Sequence, residues 1–285
     1  MSGRIYRTSA AVAHGVQPAI LRSWRRLMVA TAIDDTLASA LRSCLVIAPH
    51  PDDETIGCGA TIARKRANGT PVTVVIVADG RYAQLGSTRI SPGRLAALRA
   101  AEAEEACARL GVDRRDVIQL GYEDTFVAAR EVELEHTLAG LLQCCRPEEV
   151  LVVSDLDHHP DHRSVARAAA AALRRCPLRP VVRDYAVWSW IDGPWLDQRT
   201  RSAAGRAVHL LRQPASALRR GRTTVVRSAG FVEAKLAALA AHATQTTRYT
   251  DELAWAVMDD ALLGAFPSDV ELFLPHLADR EARRC

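Results

Sequence analysis

The sequence predicts an α/β protein with a Rossmann-like, three-layer α/β/α arrangement around a mostly parallel central sheet. Three observations predict it. Short apolar runs alternate with helical stretches along most of the chain. The first strand–helix–strand unit, Leu45 to Val77, is long enough for a parallel, right-handed crossover. Clusters rich in His and Asp follow two of the apolar runs, at the strand ends where open α/β sheets place their chemistry.

The elements follow in order. Residues 1–43 read as an N-terminal helical extension, with a helix over Ile20 to Ala40, and residues 44–285 as a single domain. Leu45 to Ala48 is a buried strand. Ile56 to Asn68 is a helix, stopped by Asn68-Gly69-Thr70-Pro71. Val72 to Val77 is a second, β-branched strand ending at Asp79-Gly80. The polar loop 80–93 is long enough to suggest a functional role. Arg94 to Leu110 is a helix closed by Gly111. Val117 to Leu120 is a strand, Glu131 to Cys145 a helix ended before Pro147, and Val150 to Val153 a strand. His162 to Arg175 is an Ala-rich helix and Val181 to Trp190 a further strand. Residues 194–228, rich in Arg and without periodicity, read as an irregular insertion or lid, and 230–263 as helical again. No G-x-G-x-x-G follows any strand, so a dinucleotide cofactor is not supported.

Composition narrows the class. The chain has 285 residues, 48% of them hydrophobic, and a net charge of +4, too mild to demand a nucleic-acid or membrane partner. Only Lys65 and Lys235 are lysines; the predominance of Arg and Ala looks like the coding bias of a GC-rich genome. Seven cysteines without a C-x-x-C pair argue against a disulfide framework or zinc ribbon and for reduced, buried thiols. No apolar stretch reaches the ~18 residues of a membrane span, and the N-terminus does not read as a signal peptide. The cytoplasm is the expected location. Oligomeric state stays open.

The chemistry sits in Pro49-His50-Pro51-Asp52-Asp53-Glu54 and Asp157-His158-His159-Pro160-Asp161-His162. His50 and Asp53 are three apart, as are His159 and His162, so one turn of helix brings each pair to one face. Imidazole and carboxylate are good zinc ligands, and a catalytic zinc takes three protein ligands and keeps a position open for water. His50, Asp53 and His162 make such a set, although spacing alone does not decide among His158, His159 and His162. Asp52 is the spare carboxylate, free to act as general base on water at the metal. One H-P-D-D-E alone could be a turn with a capping Asp; two such clusters after two strands are harder to explain that way.

These two elements resemble the signatures of the PIG-L/LmbE-like zinc-dependent N-deacetylases. Supporting similarities run from Arg99, Glu102, Ala106, Leu110 and Gly111, through Gly121 to Asp124, to Lys235, Ala238, His242 and Gln245. The segment Asp184 to Trp190 is similar to an E-Y-P-V-W-x-W stretch of some bacterial members, with Asp for Glu and Ala for Pro. The resemblance covers about residues 44 to 275 and leaves the N-terminus and 194–228 unexplained. It implies a Zn²⁺ enzyme, other divalent ions being possible, that removes acetyl from an N-acetylated amino sugar or sugar-bearing metabolite. His50, Asp53 and His162 would hold the metal, and Asp52 would be base and then acid. His159 would stabilise the oxyanion, with Asp161 orienting it. Asp124, and less strongly Arg81, would contact sugar hydroxyls; His242 would face substrate or be packed. The implied partner is a small-molecule glycoconjugate, with no nucleic acid and no membrane span. Tailoring of a specialised metabolite, as in antibiotic biosynthesis, fits by analogy. An amidase acting on a thiol conjugate is the alternative within the class; a non-catalytic metal-binding member is the alternative outside it.

Overall fold

β-Branched, fully buried runs dictate the centre of the molecule. Cys44–Ala48 (β2), Val72–Ala78 (β3) and Glu149–Val153 (β5) are buried on both faces, as strands of a parallel sheet covered on two sides must be. The computed structural model describes residues 17–188, 223–258 and 269–276. Among these, eight strands form one sheet in the order β1-β7-β8-β6-β5-β2-β3-β4. Val117–Tyr122 is β4, Val181–Tyr185 β6, Thr224–Arg227 β7, Val270–Pro275 β8, and the two-residue edge Ile33–Asp34 is β1. Only β8 runs antiparallel to its neighbours.

The helices are α1 (Gln17–Thr31), α2 (Thr36–Ala40), α3 (Asp53–Ala67), α4 (Pro92–Arg109), α5 (Glu131–Cys145), α6 (Pro160–Arg175) and α7 (Val232–Ala241), with a short turn at Ala243–Thr246. From β2 the chain steps outward to β3 and β4, then returns to lay β5 on the other side of β2. The strand order therefore reverses between β2 and β5, and the crevice beyond their carboxyl ends is where such sheets bind ligands. Both His/Asp clusters leave the sheet there.

The structure departs from the sequence expectation at several places. The stretch read as one helix over Ile20 to Ala40 is two helices with β1 between them. The helix after β2 starts at Asp53 rather than Ile56 and is broken at Cys58 (φ −147°, ψ 22°). The strand after α6 stops at Tyr185 because Asp157 Oδ2 draws off the next free N–H groups, of Val187 (2.9 Å) and Trp188 (3.3 Å); Ser189 and Trp190 lie outside the described residues. The helical reading of 230–263 holds to Thr246 and not over 247–258, residues 259–263 lying outside the described ones; at the end of the helical turn the Thr246 and Thr247 hydroxyls donate to the carbonyls of His242 and Ala243. Strands β7 and β8 were not anticipated. Most of the 194–228 stretch and the reading of it as a lid fall outside the described residues. Cys44, Cys58, Cys107 and Cys176 are buried free thiols.

A buried ionic cluster ties residues before β2 to the sheet at the end opposite the crevice. Lys65, fully buried, reaches Glu149 Oε2 (2.6 Å), Arg42 O (3.0 Å) and Ser39 O. Glu149 also accepts from Ser39 Oγ (2.8 Å) and Arg183 Nε (2.9 Å), and Arg183 and Arg42 both pair with Asp35.

Candidate metal centre

Two turns of chain at the carboxyl ends of β2 and β5 build the site. After β2 the backbone reverses so tightly that Asp52 sits at φ +131°, a conformation L-residues rarely adopt. Strain of this kind persists only where surroundings hold it. Here the Asp52 N–H donates to Glu54 Oε2 (3.1 Å), and Arg99 from α4 donates to Pro51 O (2.6 Å), Asp52 Oδ2 (2.9 Å) and Gly80 O (3.1 Å). Gly80 is required for that approach, since a Cβ there would fall 2.2 Å from Arg99 Nη1. The Asp52 side chain makes no helix-capping bond, so the simple capping reading of this Asp does not apply.

After β5, His159 caps α6 and Pro160 occupies its first turn. The rings of His50, His159 and His162 gather within 4.9 to 5.3 Å, centroid to centroid. Each offers a ring nitrogen, all within 4.8 Å of one another. Asp53 Oδ2 lies 3.4 Å from His50 Nδ1 and 3.2 Å from His162 Nε2, between the two rings, and accepts the His50 backbone N–H at 2.9 Å. His162 is fully buried, and its Nε2 has no hydrogen-bond partner. Its other nitrogen, Nδ1, is held by Asp157 Oδ2 at 3.1 Å, the carboxylate–imidazole arrangement that orients metal ligands. This donor set, with an orphaned buried nitrogen facing a carboxylate, fits a divalent cation. The ring of His158 lies against Trp188 instead, centroids 5.7 Å apart.

The remaining expected residues are placed as follows. Asp124 is buried with Oδ1 3.3 Å from His50 Nε2, its Oδ2 accepting from Tyr82 N (3.0 Å). Arg81 is half-buried and bound to Asp79 (Nε–Oδ2 2.7 Å); Asp79 Oδ1 in turn accepts from Asp124 N (3.4 Å), so Arg81 stands one residue back from the centre. Asp161, expected to orient His159, turns its carboxylate to His50 Nε2 (3.2 Å) and Thr125 N (2.7 Å); it meets His159 through its backbone, whose N–H donates to His159 Nδ1 (3.3 Å). The carboxylate is drawn away because residue N2 of α6 projects towards the β2 turn. His242 does not open onto the crevice: it is 1% exposed, with Nε2 3.3 Å from Thr55 Oγ1 and 3.4 Å from Glu54 Oε1.

Burial and charge set the titration of these groups. Burial pushes Asp52 up to about 6, against the opposing pull of Arg99. Burial also opposes ionisation of Asp53, but His162 and His50 outweigh it and hold that carboxyl well below the usual range. His162 is lifted to about 9 because Asp53 and Asp157 together outweigh the cost of burial. His50 is raised in the same way by Asp124, Asp161 and Asp53. His159 moves oppositely: burial, then the neighbouring His50 and His162, keep it neutral.

Sequence reasoning assigned no role to Asp157, Glu54 or Arg99. Arg99 carried a usable signal. It shares a face of α4 with the buried Leu95, Ala103 and Ala106, and a cation at a core position must be paired.

Comparison with known proteins agrees with this construction. Residues 45–173 match the PIG-L family, described as GlcNAc-PI de-N-acetylase. A 1D-myo-inositol 2-acetamido-2-deoxy-alpha-D-glucopyranoside deacetylase of Nocardia farcinica (strain IFM 10152) is 32% identical over 253 residues, covering 74% of this chain and 83% of the relative. A probable N-acetyl-alpha-D-glucosaminyl L-malate deacetylase 2 of Bacillus cereus is 29% identical over 153 residues, 51% of this chain and 68% of the relative. The N,N'-diacetylchitobiose deacetylase from Pyrococcus horikoshii shares the fold, with a TM-score of 0.52 at 22% identity, covering 80% of this chain and 79% of that one. With its two signature turns on one crevice and a relative matched along most of both chains, this chain belongs to the PIG-L family of de-N-acetylases.

Proposed function

We propose that this enzyme, a metal-dependent N-deacetylase, hydrolyses the acetamide of an N-acetylated amino sugar or sugar-bearing metabolite, releasing acetate and a free amine. Its relatives are named for deacetylation of glucosaminyl-inositol and glucosaminyl-malate compounds, which supports the substrate class. His50, Asp53 and His162 are the metal ligands. Zn²⁺ is the ion proposed; Fe²⁺ and Co²⁺ also suit N/O donors of this type. When bound, the ion polarises the amide carbonyl and makes hydroxide available near neutral pH.

The observation that carries the assignment is the difference among the three histidines. His162 Nδ1 faces the Asp157 carboxylate and carries the proton, which leaves the lone pair of Nε2, on the Asp53 side, free to bind a metal. His159 Nδ1 accepts a backbone N–H, so its proton resides on Nε2. A neutral imidazole that presents N–H to the crevice is a hydrogen-bond donor for a developing oxyanion rather than a ligand. Asp52, held by Arg99 at 2.9 Å with its value raised to about 6, is the base that takes a proton from the attacking water and returns it to the leaving amine. A base poised near the working pH is the efficient choice. Asp124 and Arg81 are proposed as contacts to sugar hydroxyls. Tailoring of a glycosylated natural product is the finer reading of the substrate.

The test pairs metal content by mass spectrometry with acetate release from a panel of N-acetyl sugars, before and after chelation. About one ion per chain with chelator-sensitive acetate release is expected. Metal-loaded protein that releases no acetate from any panel member overturns the assignment.

A further inference from the structure

The break in α3 has a purpose-built partner far along the chain. In an unbroken helix Ala60 N–H would bond to Ile56 C=O. With Cys58 at φ −147° the two groups part, and each finds one half of a partly buried ion pair. Glu271 of β8 accepts from Ala60 N at 2.9 Å and Thr61 N at 2.7 Å, capping the helix that restarts after the break. Lys235 of α7 donates to Ile56 O at 2.7 Å, capping the turn before the break, and closes the pair with Glu271 Oε1 at 2.7 Å. The Lys235 stem crosses α3 at Gly59, where a Cβ would come within 3.2 Å of its Cγ. Two turns along α7 from Lys235, His242 meets Glu54, whose carboxylate holds the Asp52 N–H. On the sheet side, Gly57 lies flat on the Tyr185 ring, and Tyr185 Oη donates to Ile47 O at 2.9 Å.

The turn Asp52–Gly57 is thus a short piece of helix, set at its own angle and gripped at both ends. We infer that Lys235 and Glu271, assisted by His242, are positioning residues that set the angle of this turn and so place Asp53 against His162 and Asp52 against the attacking water. The inference rests on the reading of Asp53 as ligand and Asp52 as base. Composition points the same way. The chain has only two lysines, and both are spent inside, Lys65 on Glu149 and Lys235 on Glu271. A slim ammonium at the head of a straight stem fits where a guanidinium does not.

The test uses the full chain with Lys235→Met, Lys235→Arg and Glu271→Gln. Zinc affinity is measured by competition with a chromogenic chelator, alongside kcat and KM for acetate release and the Tm of each variant. Lys235→Met and Glu271→Gln are expected to weaken zinc binding and lower kcat at saturating zinc, each by ~10–100-fold, with KM within about twofold of wild type. Lys235→Arg keeps the charge and is expected to fall between Met and wild type. Variants that lose only Tm, with wild-type zinc affinity and kcat, overturn the inference and reduce the pair to a structural strut. Glu271→Gln, which keeps volume and one acceptor, decides the matter if Lys235→Met does not fold. If wild-type protein releases no acetate, the functional reading fails, and zinc affinity still decides the positioning role.

Discussion

Asp157 offers the sharpest test of how His162, a proposed metal ligand, is oriented. One oxygen, Oδ2, accepts from His162 Nδ1 at 3.1 Å and from the backbone N–H groups of Val187 and Trp188 at 2.9 and 3.3 Å. In Asp157→Asn the amide oxygen can take that place and keep these three bonds while the charge is lost. Hydrogen bonds to a charged group contribute about 1.5–3 kcal/mol net and neutral ones about 0.5–1.5. The difference of roughly 1–1.5 kcal/mol corresponds to about 5–12-fold in zinc affinity. Asp157→Ala removes the acceptor outright. It frees the imidazole to turn, costing about 10–100-fold in affinity, and leaves two backbone donors unpaired. At about 1–3 kcal/mol for a buried donor, with the Trp188 bond long and its residue only partly buried, the stability loss is about 2–4 kcal/mol. Zinc affinity by chelator competition and stability by urea titration give the two readouts. The expected order is wild type above Asn above Ala in both. Wild-type zinc affinity in Asp157→Ala, with only stability reduced, would refute the orientation argument and leave Asp157 as a peg for the end of β6.

The remaining predictions concern neighbouring links. Asp52→Asn should retain zinc but lose roughly 10²–10⁴ in turnover, the range for general-base removal; near-native turnover under saturating metal sinks that role. His162→Ala should lose zinc, read by mass spectrometry, and unchanged metal content would transfer the ligand role to another histidine. Lys65→Met should cost up to about 3–5 kcal/mol in urea unfolding, because it removes the fully buried cation facing Glu149 Oε2, and Lys65→Met/Glu149→Leu should recover much of that loss. A single-variant cost below about 1 kcal/mol would mean that Arg42 and Arg183 suffice to balance Glu149.

The core of the sheet was readable in the sequence because its strands are buried on both faces. Residues 45–48, 74–78 and 150–153 are continuous apolar runs, and no solvent-facing alternation blurs them. Strand β8 was not readable: Val270-Glu271-Leu272-Phe273-Leu274-Pro275 carries a Glu in mid-run, which looks polar until Glu271 is seen capping a broken helix. The break has only a weak local signature: Gly57 and Gly59 flank Cys58 and loosen the helix there, but the partners that separate its two pieces are distant in sequence. The same holds within the site. Spacing grouped His50 with Asp53 and His159 with His162. The direction of the Asp161 carboxylate and the burial of His242 depend on how α6 and α7 dock, which pairwise spacing does not encode.

The electrostatics of the crevice explain why three adjacent imidazoles need not share one job. Asp52, Asp53, Asp124, Asp157 and Asp161 are buried together, and Arg99 is paired with Asp52. Carboxylates at this density require compensating positive charge. In the absence of a metal, that charge is supplied by protons on His50 and His162, the two rings whose nitrogens face Asp53, and both are raised accordingly. His159 sits equally close to the other rings yet stays neutral, because burial and its two charged neighbours disfavour a third proton. Under the proposed ligand set, a divalent ion held by His50, Asp53 and His162 would replace those protons with a charge that neutral imidazoles can ligate. His159 would stay as it is, a neutral imidazole available to donate to the substrate. The proposed distinction between ligand and oxyanion donor thus follows which rings Asp53 touches, and Asp53 belongs to the short turn that begins at the strained Asp52.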